Sequence, residues 1–315
     1  RGGPPDVAAR FVLRGRGAAG QVAHEAAAHG DVTFVDADAA LRRSVGPLVT
    51  LWRWWGYALE AWPGAALIGK ADDDVWIDLH GVAAHLRASL AFVGAQRHLV
   101  WGRLESYHWN VTRHGPQGYG FGVPDGPCTR STVAAPDLVG PWPFPKGPLF
   151  AVARPLVEAA CRSPAVRDEV AGAVAAWQDV DDAAAEALRM QRIKIPFEDT
   201  FVGFALSVVV PADGRPMVWV DIGTRVLSQE WYDRVGLTAA TLIWHARLKD
   251  SGRVRAAHRW AQTHRCSPRL GLQLVPSRAA PCVGSAGAAA PLLLARAARA
   301  AYASCNTTPA AAHEL

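Results

Sequence analysis

The sequence is poor in cysteine, with five spread over 315 residues and no pair at the two-residue spacing of zinc knuckles and redox motifs. It also lacks a signal peptide and any apolar run long enough to span a bilayer. The formal net charge is +5, but the basic residues are scattered and form no dense cluster. These absences argue against a zinc finger and against a nucleic-acid partner, and they leave room for a mildly basic enzyme that acts on a phosphorylated substrate.

Two N-glycosylation sequons begin at Asn110 and Asn306. Such sites favour a protein of the secretory pathway, where the glycosylation machinery works. The chain begins at Arg1 without a methionine. We therefore expect it to be part of a longer protein, whose membrane anchor, if there is one, lies outside these residues.

Short apolar runs alternate with longer helix-like segments in the first part of the chain. Val32–Val35 is typical of a buried strand, whereas the aromatic-rich segment Ser44–Trp62 predicts a buried helix. This alternation predicts an α/β fold with a mostly parallel central sheet flanked by helices. Ligands bind such sheets beyond the carboxyl ends of strands, and the strand Ala65–Gly69 leads directly to a cluster of acids.

Composition divides the chain into a domain at residues 1–265 and an Ala- and Pro-rich tail at 266–315. We expect the tail to be loosely ordered, apart from a helix at Leu292–Tyr302. Residues 113–148 are rich in glycine and proline and are long for a simple connection. This stretch therefore predicts a binding loop.

Three consecutive carboxylates, Asp72–Asp74, follow the strand Ala65–Gly69 and precede another apolar run. On a strand, Asp72 and Asp74 would point together and Asp73 would point away. Neighbouring like charges repel by roughly 1 kcal/mol in water, and a hard divalent cation such as Mn²⁺, Mg²⁺ or Ca²⁺ would relieve that repulsion. The alternative is a set of acids at the start of a helix.

Two further features could complete a site. Glu198 and Asp199 precede an apolar helix-like segment, so they are either helix caps or carboxylates available for general-base chemistry. His245 lies in the apolar run Leu242–His245, where it is either a core residue or a nitrogen ligand. Together with the acid triplet, these residues could supply metal ligands and a spare base.

Two motifs in this chain resemble those of one enzyme family. Lys70–Ile77, with the sequence KADDDVWI, resembles the Lys-x-Asp-Asp-Asp-Val-aromatic-Val/Ile signature of the β-1,3-galactosyltransferase and fringe-like glycosyltransferases. Glu198–Gly203, with the sequence EDTFVG, is similar to that family's Glu-Asp-Val-aromatic-x-Gly motif. Weaker similarities lie at Arg10–Leu13, Glu25, Gly30–Val32 and Trp142–Val152. The resemblance covers about Ala8 to Leu248.

The resemblance implies a GT-A fold, in which a Rossmann-like sheet binds a nucleotide sugar. It implies an inverting enzyme that uses Mn²⁺ or Mg²⁺ to move a galactose- or N-acetylglucosamine-type hexose from a UDP-sugar to a hydroxyl group. The acceptor would be a glycan or glycoprotein, and the product a β-1,3 linkage. It further implies a type II membrane protein of the Golgi or another part of the secretory-pathway lumen.

The same resemblance assigns roles to individual residues. Asp74 would bind the metal directly, Asp72 would contact the ribose or the metal shell, and Asp199 would be the general base. The remaining expected site residues are Lys70 and Asp73 for cofactor binding and His245 as a metal or diphosphate ligand.

Departures from the family pattern keep two alternatives open. An Arg-x-x-x-Arg-x-Thr-Trp element expected ahead of the first matched strand is absent, and Lys146 and Pro148 replace small residues in the middle segment. The chain could therefore be a catalytically silent relative that binds a glycan or nucleotide. The acid cluster alone would also suit a metal-dependent phosphodiester or nucleotide hydrolase.

Overall fold

The structure is a computed structural model. It describes residues 6–15, 19–41, 45–110, 115–121, 138–178, 197–209, 211–228, 241–245, 252, 255, 258–259, 272–276 and 293–297. Its helices are α1 Ala19–His29, α2 Val45–Ala61, α3 Leu79–Val93, α4 Arg154–Arg162, α5 Pro164–Gln178 and α6 Glu198–Val208. Its strands are β1 Phe11–Arg14, β2 Val32–Val35, β3 Leu67–Ala71, β4 Val75–Ile77, β5 His98–Asn110, β6 Gly115–Phe121, β7 Leu138–Ala153, β8 Met217–Asp221, β9 Val226–Ser228, β10 Ile243–His245, β11 Leu272–Pro276 and β12 Leu293–Ala297. Among the described helices, none is both long and apolar enough to cross a bilayer.

The expected α/β class is confirmed, but the sheets are mixed rather than mostly parallel. The largest sheet has the order β11-β12-β8-β5-β7-β3, with β6 paired to β5. Its β5–β8 and β8–β12 pairs are parallel, whereas its other pairs are antiparallel. The expected parallel arrangement appears in the separate β1–β2 pair and in the β9–β10 pair.

Strand β7 runs antiparallel between β3 and β5, and together with the antiparallel β5–β6 and β11–β12 pairs it makes the large sheet mixed. Most of β7 lies in the segment 113–148 that the sequence predicts to be a binding loop, and β6 lies there as well. That prediction was wrong for both strands. Pairing with β5 accommodates the prolines and glycines of β7 because the register shifts at two places.

The tail also contributes to the large sheet. Strand β12 pairs in parallel with β8, and β11 pairs with β12. The helix expected at Leu292–Tyr302 is wrong for Leu293–Ala297, which form a strand, and the rest of that prediction lies outside the described residues. The domain boundary at residue 265 stays a prediction.

The core lies on both faces of the large sheet, as the two-residue repeat of a strand requires. Val100 and Val152 face the helices α2, α4, α5 and α6. Their neighbours Leu99, Trp101 and Ala151 face α3 and β10. The sheet is therefore covered on both sides around the carboxyl end of β3.

Helix α6 packs so closely on β7 that Gly203, at the contact, has no room for a side chain. A Cβ added at Gly203 would lie 2.5 Å from the Pro143 carbonyl oxygen and 2.5 Å from Trp142 Cδ1. The indole N–H of Trp142 donates to the Thr200 carbonyl at 3.0 Å. The glycine and this hydrogen bond fix the height and angle at which the helix begins, and the Glu198–Asp199 pair occupies that beginning.

We predict that Gly203→Ala destabilises the protein by about 1–3 kcal/mol, the usual cost of overpacking. The added methyl must push α6 away from a backbone carbonyl, which cannot turn aside as a flexible side chain can. Urea unfolding at equilibrium measures the change.

Gly172→Ala is the matched control, because Gly172 is exposed on α5 and its added Cβ would meet nothing within 4 Å. The same substitution should stabilise the protein there by roughly 0.5–1 kcal/mol through helix propensity. Equal effects at both positions would contradict the packing argument.

Candidate active site

A turn at the carboxyl end of β3 brings two of the triplet acids together. The strand ends at Ala71, and residues 73–74 form a turn before β4. The backbone N–H of Asp72 donates to the Pro148 carbonyl at 3.3 Å, which holds the start of the turn against β7. Asp72 and Asp74 therefore converge because the chain turns, and not because a strand alternates as the sequence predicts. Asp73 is exposed and lies outside the cluster.

His245 lies beside this turn because β10 pairs antiparallel with β4. The register sets His245 opposite Val75, the residue that follows the acid triplet. Its Nε2 lies 3.2 Å from Asp74 Oδ1 and 3.9 Å from Asp72 Oδ2. The side chain is 29% exposed, so His245 is not the buried core histidine that the apolar run Leu242–His245 also allowed.

Asp72, Asp74 and His245 together form a group that could hold a metal ion. Each offers one ligand atom, and these atoms all lie within 4.8 Å of one another. Two carboxylate oxygens and one imidazole nitrogen suit Mn²⁺, which accepts both ligand types. The residues that are present thus fit the expected ion.

The second acidic motif occupies the first turn of α6. Phe197 is the N-cap, so Asp199 is not a cap, although both acids lie where the helix dipole favours negative charge. One Asp199 oxygen accepts the Thr200 N–H at 2.8 Å, and the other accepts the Gly147 N–H at 3.3 Å. These two bonds fix the plane of the carboxyl group.

Burial, and after it the neighbouring Glu198 carboxylate, raise the pKa of Asp199 from 3.8 to about 7. The Thr200 N–H, the charge of Lys70 and the Gly147 N–H act in the opposite direction. A carboxylate whose pKa lies near neutrality is matched to accept a proton near neutral pH. The position and the pKa of Asp199 therefore suit a general base.

Lys70 joins the two acidic motifs. Its Nζ forms ion pairs with Asp72 and, at 2.9 Å, with Glu198, and it donates to the Gly147 carbonyl at 3.1 Å. Burial alone would lower the pKa of Lys70, but the charges of Glu198 and Asp72 outweigh it and the net shift is upward. The lysine therefore stays charged between the two motifs.

Sequence reasoning missed two parts of this site. Gly147 bonds to Lys70 through its carbonyl and to Asp199 through its amide. Beside it, Lys146 pairs at 2.7 Å with Glu105, whose side chain is 3% exposed. The signal in the sequence was the run Lys146-Gly147-Pro148, in which Lys146 and Pro148 depart from the family pattern.

No protein-family model matches the chain, and no curated protein matches it in sequence. The functional assignment therefore rests on the residues of the site and on the resemblance of the two motifs.

We predict that His245→Ala weakens Mn²⁺ binding while changing thermal stability little, because the side chain is partly exposed and faces the two aspartates. Loss of a group that merely supports a metal ligand costs roughly 10–100-fold in affinity, so loss of the ligand itself should cost at least as much. Calorimetric titration with Mn²⁺ measures the affinity. His24→Ala, a change at an exposed position on α1, is the control. Unchanged Mn²⁺ affinity in His245→Ala would remove this residue from the triad.

The raised pKa of Asp199 also predicts a pH dependence of stability. The folded state holds the Asp199 proton up to a pH of about 7, whereas the unfolded chain releases it near 3.8. The stabilisation is complete below the unfolded pKa and is lost as pH rises through the folded pKa. Asparagine has no proton to lose. Between pH 4 and 7 the free energy of unfolding of Asp199→Asn should therefore rise by about 1–3 kcal/mol relative to that of wild type.

Urea unfolding at several pH values between these limits measures that difference. Asp213→Asn is a control of opposite sign, because a hydrogen bond from His98 lowers the pKa of Asp213. The stability that Asp213 contributes is present above its unfolded pKa and is lost as pH falls through its folded pKa. If the difference in unfolding free energy between Asp199→Asn and wild type did not change with pH, the pKa of Asp199 would not be raised in the folded state.

Proposed function

We propose that the protein is an inverting glycosyltransferase of GT-A type that moves a hexose from a UDP-sugar to a glycan hydroxyl and forms a β-1,3 linkage. The observation that carries the proposal is the meeting of both acidic motifs at one site. Lys70 contacts Asp72 of the first motif and Glu198 of the second. The motifs are far apart in sequence, and each resembles its counterpart in the same enzyme family.

The reaction makes two demands, and each motif answers one. As the acceptor oxygen attacks the anomeric carbon, its proton must leave, and Asp199 is the carboxylate that would accept it. As the bond between that carbon and the diphosphate oxygen breaks, negative charge collects on the departing UDP. A divalent cation held by Asp72, Asp74 and His245 would supply the neutralising charge.

The separation of roles between the motifs supports transfer in a single displacement. In such a displacement the base and the leaving group lie on opposite sides of the anomeric carbon. The triad belongs to β10 and the turn after β3, whereas Asp199 begins α6. A single cluster of acids would serve hydrolysis equally well, but the second acidic motif contains Asp199, whose raised pKa supports a separate base.

The donor, acceptor and location follow from the same proposal. The donor is a UDP-sugar of the galactose or N-acetylglucosamine type, with Mn²⁺ or Mg²⁺, and the acceptor is a glycan or glycoprotein. The two sequons support a site of action in the secretory-pathway lumen. Asp73 remains an expected cofactor-binding residue of this proposal, whereas the ammonium group of Lys70 is already paired with Asp72 and Glu198.

We predict that Asp199→Asn lowers the rate of sugar transfer by about 10²–10⁴-fold, the usual cost of losing a general base. UDP affinity in the presence of Mn²⁺ should stay close to that of wild type, because the triad is untouched. The assay supplies UDP-galactose or UDP-N-acetylglucosamine and a glycan acceptor, with Mn²⁺ or a chelator.

Asp168→Asn, on the exposed surface of α5, is the matched control and should transfer sugar normally. A folded Asp199→Asn protein that transfers sugar at the wild-type rate would reject the base assignment. Donor cleavage that does not depend on the acceptor would favour the hydrolase. UDP binding without any turnover by the wild-type chain would favour the silent relative.

A further inference from the structure

Lys70 reaches the site from the face of β3 that points toward α6. Ile68 and Lys70 lie on the same face of β3, and Ile68 is buried in the core that contains α6. The Lys70 side chain is 18% exposed, so it is largely enclosed by protein. Its position is therefore set by the strand rather than by a mobile surface.

The hydrogen-bonding capacity of Lys70 is fully used within the protein. A lysine ammonium group has three donors and no acceptor. Three acceptors lie around it, namely the carboxylates of Asp72 and Glu198 and the carbonyl of Gly147. No donor is left over for a phosphate oxygen while these contacts hold.

The contacts of Lys70 lead to Asp199 by two routes. Glu198 precedes Asp199 on the same helical turn and is held by the ion pair with Lys70. Gly147 is held at both of its backbone polar groups, with Lys70 on its carbonyl and Asp199 on its amide. Displacing Lys70 would release both neighbours of the Asp199 carboxyl group.

We propose that Lys70 is a positioning residue that holds the Asp199 carboxylate in place relative to the Asp72–Asp74–His245 triad, rather than a ligand of the donor diphosphate. The catalytic significance of this contact rests on the proposed function, but the contact itself exists without substrate. It can therefore be tested on the protein alone.

The test follows the Asp199 carboxyl group by carbon NMR as pH changes, with no metal or nucleotide present. Among the described residues, the charged groups that face Asp199 are Glu198 on its own helix and Lys70 from β3. Lys70→Met removes this positive charge and should raise the midpoint of the Asp199 titration (the Asp199 midpoint) by about one pH unit. Lys70→Arg keeps the charge and should restore the midpoint.

Lys146→Met is the matched control. It removes an ammonium group from the residue next to Gly147, but that group pairs with Glu105 rather than with Glu198. The Asp199 midpoint should then stay at its wild-type value. If the Asp199 midpoint shifted equally in Lys70→Met and Lys146→Met, it would depend only on the nearby positive charge. The positioning role of Lys70 would then be wrong.

Lys70→Met leaves two carboxylates without their cation, so it could fail to fold. The double variant Lys70→Met with Glu198→Gln removes one charge of each sign and keeps the local balance. In this variant the Gly147 carbonyl has lost its donor, so amide hydrogen exchange at Gly147 and Thr200 should speed up by about tenfold or more. Unchanged protection would overturn the proposal.

A calorimetric titration with UDP and Mn²⁺ separates the two possible roles of Lys70. A positioning residue predicts UDP affinity within about threefold of wild type in Lys70→Met, together with the shifted Asp199 midpoint. If Lys70→Met lowered UDP affinity and left the Asp199 midpoint unchanged, Lys70 would be a ligand of the diphosphate instead. Since the NMR measurement needs no turnover, a wild-type protein that transfers no sugar would reject the proposed function and leave this result standing.

Discussion

Repulsion between carboxylates is the constraint on which the site depends. Asp72 and Asp74 meet at one turn, and Glu198 and Asp199 begin a helix that is directed toward the same place. Three features offset that repulsion. Lys70 stands between the two pairs, the imidazole of His245 lies against the first, and the dipole of α6 favours the second. Burial raises the pKa of Asp199, so this carboxyl group relieves part of the repulsion by holding a proton up to a pH of about 7.

The scaffold holds these groups by backbone contacts more than by side chains. Strand β7 touches the turn through the Pro148 carbonyl, and it touches both Lys70 and Asp199 through Gly147. The close approach of α6 at Gly203 then sets where Asp199 begins its helix. A side chain at Gly203 would collide with β7, which gives a physical reason for the glycine of the second motif, whereas a Cβ at Gly147 would make only ordinary contacts at 3.4–3.5 Å.

The sequence predicted the separate elements well, because hydrophobic periodicity reports burial. Helix α2 and strand β2 lie where the pattern set them, and the helix after Glu198–Asp199 begins as expected. The prediction failed for β7, because the prolines and glycines of residues 138–153 are typical of loops unless the partner strands are known. The predicted parallel sheet failed for a related reason, because β6, β7 and β11 add antiparallel pairs and lie largely in segments predicted to be a loop or a loosely ordered tail.

The site was predictable only where charge stood out in the sequence. The acid triplet and Glu198–Asp199 interrupt apolar runs, and His245 does the same. Gly147 has no side chain to mark it, and its role depends on a register between β3 and β7 that no local pattern encodes. The pairing of β4 with β10, which brings His245 to the triad, is equally non-local.

The antiparallel pairing of β4 with β10 also has a consequence for folding. It joins residues 75–77 to residues 243–245, and contacts between segments so far apart in sequence form late because a long loop must close first. The triad therefore does not exist in a partly folded chain that has made only its local helices and hairpins. A metal ion that binds only the completed triad would hold the two segments together and slow their separation during unfolding.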